Sequence, residues 1–361
     1  MEQLIYFASA HTSDGYRDLI ETNLTELNHI FLIEGATTEQ RSACIESFFE
    51  KWRSLGEEIE LLLNSVDHNR FTGVINRRLS CAIIDRIEHL SYPIKALNKV
   101  EHLINLSANI TEKSRTDKDE TLKLHLSKEQ AIKRAHDAFN LGLKIHDDLE
   151  KIYINAMDFN KADKVAEDLI EEIFTNRFSN HPSSVQYHRF LGASTANGVV
   201  DYVDQLTEQL SKRYLIKGRA GSGKSTLLRK VVAEAEKRNY QLEIYHCAFD
   251  PDSLDMVIIR ELGIAIFDST APHEYEPSRH SDQLIDLYQT TISPGTDQKY
   301  QATIADLTTL YRAQIQKGTE HLNEARNYNL KLEKIEQQYF DDVLFNQQMN
   351  VFLSQVEAQL S

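Results

Sequence analysis

The chain has 361 residues, 41 % of them apolar, and a formal net charge of −15. That length suffices for two ordinary domains with sizeable cores. The acidic balance argues against nucleic acid as a main partner, because phosphate contacts need concentrated Lys and Arg.

Cys44, Cys81 and Cys247 form no CxxC pair and read as reduced thiols of a cytoplasmic protein. No run approaches the roughly 18 apolar residues of a membrane span. The opening "MEQLIYFASAHTSDG" lacks the basic and apolar regions of a signal peptide. "FLIEGATTEQRSA", Phe31 to Ala43, then reads as a strand, a turn and a helix start. The same frame returns 183 residues later as "YLIKGRAGSGKST", Tyr214 to Thr226.

At that offset the chain matches itself without gaps. Phe7, Ala10, Thr12 and Gly15 fall on Phe190, Ala193, Thr195 and Gly198. Gly35 and Ser42 fall on Gly218 and Ser225, Glu60 and Asp67 on Glu243 and Asp250, Arg77 on Arg260, and Asp85 on Asp268. "LEKI" at Leu149–Ile152 falls on "LEKI" at Leu332–Ile335. One offset kept over the whole length predicts an internal duplication. The halves are 1–178, with a core at about 4–93 and a helical part at 94–178, and 185–361, divided at about 291/292. "SNHPSS", Ser179–Ser184, joins them.

Within each core, apolar bursts alternate with helical patterns, which predicts an α/β fold with a parallel sheet covered on both faces. The nearly Pro-free second parts predict long amphipathic helices. Leu307, Leu310, Tyr311, Ile315 and Leu322 keep helical spacing. These helices form a packed subdomain or a surface for a protein partner. The polar stretch Thr111–Thr121 is expected to be a mobile loop.

"GRAGSGKS", Gly218–Ser225, matches G-x-x-x-x-G-K-[ST] in full, between a predicted strand and a predicted helix. Gly218, Gly221 and Gly223 let successive N–H groups turn inward toward phosphate oxygens, and Arg219, Ala220 and Ser222 complete the cradle. The helix N-terminus adds positive potential. Lys224 reaches the β- and γ-phosphates, Ser225 offers its hydroxyl to Mg²⁺, and Thr226 opens the helix near the α-phosphate. Asp268, ending the apolar "LGIAIFD", is the expected second Mg²⁺ ligand at the sheet's ligand edge, or else a helix cap. Asp250, Asp252 and Asp255 in "HCAFDPDSLD" face the phosphates, with Asp250 the catalytic candidate, or "DPDS" is a turn that caps a following helix. His273 or Thr270 is a candidate γ-phosphate sensor. His246 reads as a satisfied core histidine.

"GRAGSGKSTLL", "YHCAFDPDSLD" and "IAIFDSTAPH" together resemble one half of a tandem P-loop ATPase-like family of spore-forming Gram-positive bacteria. The resemblance covers the whole chain, including the "FASAHTSDG" and "GASTANG" openings before each loop. It implies two P-loop NTPase halves, ATP binding, Mg²⁺-dependent hydrolysis and no named substrate. In that family pattern both halves carry the loop, and this chain departs from it. Thr38, Gln40 and Arg41 stand where Gly221, Gly223 and Lys224 stand.

Thr and Gln resist positive φ, and Arg is a larger fork than Lys, so the first half is expected to bind nucleotide poorly. It is either a pseudo-domain kept for packing or a regulatory half that lends a basic residue; Arg41, Arg77, Arg78 and Arg86 are the candidates. The leading expectation is an ATPase with one live site, as a monomer or homodimer. No N-K-x-D guanine motif and no "LSGGQ"-like segment occurs. The rivals are a small-molecule kinase, with the "DPDSLD" loop on the acceptor hydroxyl, and a non-hydrolysing nucleotide-gated scaffold.

Overall fold

The computed structural model describes residues 3–107, 115–271 and 273–360. The first half comprises strands β1 (Gln3–Tyr6), β2 (Ser9–Thr12) and β3 (Gly15–Asp18), helix α1 (Ile20–Asn23), β4 (His29–Glu34), α2 (Thr38–Ser54), β5 (Ile59–Leu63), β6 (Phe71–Asn76), β7 (Cys81–Asp85), β8 (Glu101–Asn105), α3 (Arg115–Ile154) and α4 (Phe159–Phe174). The second comprises β9 (Gln186–Phe190), β10 (Gly192–Thr195), β11 (Gly198–Asp201), α5 (Val203–Thr207), β12 (Lys212–Lys217), α6 (Lys224–Lys237), β13 (Leu242–His246), β14 (Leu254–Ile259), β15 (Ile264–Asp268), β16 (Gln283–Asp286), the short α7 (Leu287–Thr291) and α8 (Thr296–Lys299), then α9 (Gln301–Gln337) and α10 (Asp342–Leu360).

The two six-stranded sheets run β1-β5-β6-β7-β4-β8 and β9-β13-β14-β15-β12-β16. They agree strand for strand at the 183-residue offset, and each half adds one hairpin, β2-β3 or β10-β11. The expected all-parallel sheet is corrected in one respect. β6 and β14 run antiparallel to both neighbours, while the other pairings are parallel. The connections explain it. Seven residues join β13 to β14 and four join β14 to β15, and a parallel crossover needs about a dozen. The "DPDS" segment therefore leads into a strand, not the helix expected after it. The first helical part also contains a strand, β8, which pairs parallel with β4 at the sheet edge.

One apolar cluster joins the two sheets. It runs from Leu32, Leu62 and Ile84 through α1 and α5 to Leu215, Met256 and Phe267. The outer faces are covered by an exchange of helices. Ala166, Leu169, Ile173 and Phe174 of α4 pack on the second sheet and α6, against Tyr214, Ile216 and Leu228. Phe345, Met349, Phe352 and Val356 of α10 pack on the first sheet and α2, against Phe31, Ile45 and Phe48.

The long helices α3 and α9 make this exchange possible. They lie antiparallel, with Lys128 bonded to Asn329 (2.7 Å) and Arg134 to Glu324 (2.5 Å), while Tyr153 near the end of α3 bonds Asp297 of α8 (3.0 Å). Of the stretch expected to be a mobile loop, Thr111–Ser114 lies outside the described residues. Arg115–Thr121 forms the first turns of α3, where Asp117 accepts a hydrogen bond from Tyr339. Among the described residues no helix is long and apolar enough to cross a membrane.

Candidate functional site

β12 lies between the edge strand β16 and β15 in the second sheet and delivers Gly218–Ser225 to the end of the sheet where its parallel neighbour β15 also ends. Gly221 (φ +70°) and Gly223 (φ +87°) hold left-handed backbone, the conformation that favours glycine. α6 starts only after them, at Lys224, and packs through Leu227, Leu228 and Val231. The Lys224 ammonium folds back over the loop and donates to the Arg219 carbonyl at 2.8 Å. It lies 3.6 Å from the Asp268 carboxylate. The Ser225 hydroxyl accepts the Leu254 N–H at 3.0 Å, which ties the loop to β14. Ser222 is fully buried, whereas Arg219 and Thr226 are exposed. Arg219 pairs with Asp297 at 2.8 Å.

Asp268 accepts the N–H (3.0 Å) and hydroxyl of Thr270, a turn rather than a helix cap. Asp250 is spent on its own turn. Its carboxylate accepts the Asp252 N–H at 3.3 Å and the Ser253 hydroxyl at 2.6 Å. Asp252 is exposed. Asp255 sits across from Asp268 at the start of β14 and is buried, 8 % exposed. Burial and the Asp268 charge push its carboxyl up to about 7. His273 bonds Asp201 at 2.7 Å, within range of the Asp255 and Asp268 charges. Burial pulls the His273 pKa down, but Asp201 and those carboxylates more than offset it and raise it. His246 is doubly engaged, with the Pro251 carbonyl and His188 each at 2.8 Å.

The first half repeats this geometry with the cradle removed. Thr37 caps α2 in a reciprocal capping box with Gln40, so the helix starts at Thr38, three residues ahead of the Lys224 position. Thr38 and Gln40 are absorbed into its first turn. Arg41 fills the space left. It donates to the carbonyls of Gly35 (3.2 Å) and Ala36 (3.0 Å) and pairs with Asp85 at 2.8 Å, both side chains buried. Ser42 accepts the Phe71 N–H at 2.8 Å, as Ser225 accepts that of Leu254.

None of the four arginines considered for lending to the second site reaches it. Arg41 pairs with Asp85, Arg77 with Glu60, Arg78 with Glu57 and Arg86 with Glu34. The first half reaches the loop instead through α3. A Cβ on Gly221 would lie 2.6 Å from the Glu150 carbonyl and 3.0 Å from Ile154, and Met157 faces Gly223. His146 packs edge-on to Phe249 and tilts over Tyr311, and it feels the charges of Lys224 and Asp250. His146, Asp147 and Glu150 bring ligand atoms within 4.8 Å of one another, a spacing that one helix turn provides without any ion.

Motif reading does not find these α3 residues, because they lie some 70 positions from the loop they cover. Their one signal is the second "LEKI" repeat. Glu150 faces the second loop, and its counterpart Glu333 lines a 140 Å³ cavity beside Thr38 of the first. No protein-family model, curated protein or solved structure matches the chain, so what the loop binds is read from its own geometry.

Proposed function

We propose that the second half is a P-loop nucleotide-binding unit that binds ATP with Mg²⁺ at Gly218–Thr226 and hydrolyses it. The first half is its catalytically silent structural partner. The observation that carries this reading is the loop itself. Two glycines are held left-handed, a lysine is folded over the loop, and a carboxylate lies 3.6 Å from that lysine on the adjacent strand. A glycine loop of this kind and the α6 N-terminus suit phosphate oxygens. Ser225 and Asp268 are the oxygen donors suited to Mg²⁺, which would neutralise charge between the β- and γ-phosphates. Lys224 would leave the Arg219 carbonyl for the phosphates, exchanging a neutral acceptor for a charged one.

One observation favours a second reading, the nucleotide-gated scaffold. α3 of the first half lies against Gly221, and Met157 just beyond its end lies against Gly223, so a filled loop has a direct mechanical contact with the long helix pair. No such contact favours the kinase alternative, in which the "DPDSLD" loop would bind an acceptor hydroxyl; the Asp250 carboxylate bonds within its own turn. ATP binding and phosphate release by the purified chain, with and without Mg²⁺, test these readings. Lys224→Ala is expected to abolish ATP binding. Full affinity in that variant would refute the assignment. Steady-state phosphate release without an acceptor supports the ATPase, and tight binding without turnover over hours supports the scaffold.

A further inference from the structure

The geometry points to Asp255 as a second carboxylate that, with Asp268 and Ser225, holds the divalent cation of the second half. This rests on the nucleotide reading above. The position is built by a β-bulge. Tyr245 pairs with Met256 and His246 with Leu254, so Asp255 is the extra residue of β14. The first half has the same bulge, where Leu62 pairs with Gly73 and Leu63 with Phe71, and its extra residue is Thr72. Bulges re-aim a side chain without disturbing the strands around them. Here the bulge sets a buried carboxylate beside Asp268, next to the residue whose N–H binds Ser225.

The charges around the two bulges differ. In the first half, Asp85 is matched by Arg41, and Thr72 adds no charge. In the second half, Asp255 accepts a hydrogen bond from the thiol of Cys247, a weak donor, and makes no ion pair among the described residues. The groups facing it are Asp268 from β15, Lys224 from α6, His273 with its partner Asp201, and the Tyr311 phenol from α9. Three carboxylates, Asp201, Asp255 and Asp268, thus gather around Lys224 and His273. A buried carboxylate is costly unless a cation meets it. Mg²⁺ is held by one or two carboxylates together with substrate phosphates, and this edge supplies two carboxylates and a hydroxyl.

Mn²⁺ is the probe, its free concentration read by electron paramagnetic resonance on the full chain. The proteins are the wild type, Asp255→Asn and Asp255→Thr, the last copying the residue that the first half accommodates at the same bulge. In the ATP complex both variants should lose about tenfold or more in Mn²⁺ affinity while ATP affinity in EDTA stays within about twofold. Mn²⁺ affinity within twofold of wild type in both variants would overturn the assignment, because Asp268 would then suffice. If the wild type binds no ATP under any condition, the nucleotide reading falls. Mn²⁺ titration without ATP then decides for the pair: binding that both variants lose supports it, and no binding overturns it.

Discussion

Arg41 shows how the loop of the first half is closed by its own side chains. Its guanidinium contacts the Ala36 carbonyl and the Asp85 carboxylate, the counterparts of the two groups that Lys224 approaches through Arg219 and Asp268. Both partners of the Arg41–Asp85 pair are buried, so removing one leaves a charge without compensation. Arg41→Ala should therefore destabilise the protein by about 3–5 kcal/mol, and Arg41→Lys by clearly less, read as shifts of the urea midpoint. Nucleotide binding in the second half should survive wherever the variant stays folded.

Buried histidines set the acid side of stability. Burial and the neighbouring His136 pull His11 down to about 3, and burial and His246 pull His188 down to about 4. Both stay neutral when folded, so an unfolded chain takes up protons first as pH falls below about 6.5. Stability should fall from pH 6.5 toward 4, by up to about 1.4 kcal/mol per pH unit per group, in thermal melts across that range. The carboxylates come later. Burial pushes Glu60 up, but Arg77 and Arg189 hold it at about 2. Its contribution is complete above its unfolded value of 4.5 and is lost only toward pH 2.

The elements that matter most at the next scale are α3 and α9. Gly318 of α9 meets the ring of Phe139 where the helices cross, and a Cβ there would overlap the ring. Gly→Ala in a helix interior gains about 1 kcal/mol, whereas overpacking a buried contact costs about 1–3 kcal/mol. The second effect should win, since Phe139 is 1 % exposed and the pair is pinned beside the crossing by the Arg134–Glu324 and Lys128–Asn329 bonds. Gly318→Ala is thus expected to lower the melting temperature. Gly142→Ala, whose Cβ would lie 3.3 Å from its nearest neighbour, should change it less.

Periodicity made these helices legible, because Leu307, Tyr311, Ile315 and Leu322 keep their spacing whatever they pack on, although Leu310, read into the same face, is exposed. It also located the strands of the core. It did not give the direction of β14, because "LDMVII" is buried throughout and a buried strand reads alike in either direction; only the short connections decide. β8 was missed because its burial alternates at an edge, with Leu103 exposed.

For the molecule as a whole, the helix exchange makes each half depend on the other. Phe352 of α10 is 2 % exposed and meets Phe31 and Phe48 of the first half edge-on, at 5.7 and 5.0 Å between ring centroids. Phe352→Ala should cost about 3–5 kcal/mol. Its loss of amide protection in hydrogen exchange should centre on β4 and α2, far away in sequence, rather than on β12 and α6. Protection lost mainly in the second half would contradict the exchange.

The sequence by itself determined the duplication, and the structure gives many of the repeated residues a shared task. Thr12 and Thr195 bond the carbonyls of Gly15 and Gly198 (2.9 and 2.8 Å). Glu60 and Glu243 pair with Arg77 and Arg260. Asp67 and Asp250 head the same turn. The contrast between the two loops was equally open to reading, because glycine content and lysine chemistry are local properties. Only the tertiary structure decided which half each helix serves, that Asp255 rather than Asp250 faces Asp268, and that Glu150 meets Gly221. Those facts depend on which surfaces bury each other across separations from 13 residues of chain to about 300, and apolar burial is not directional enough for spacing along one strand or helix to name its partner.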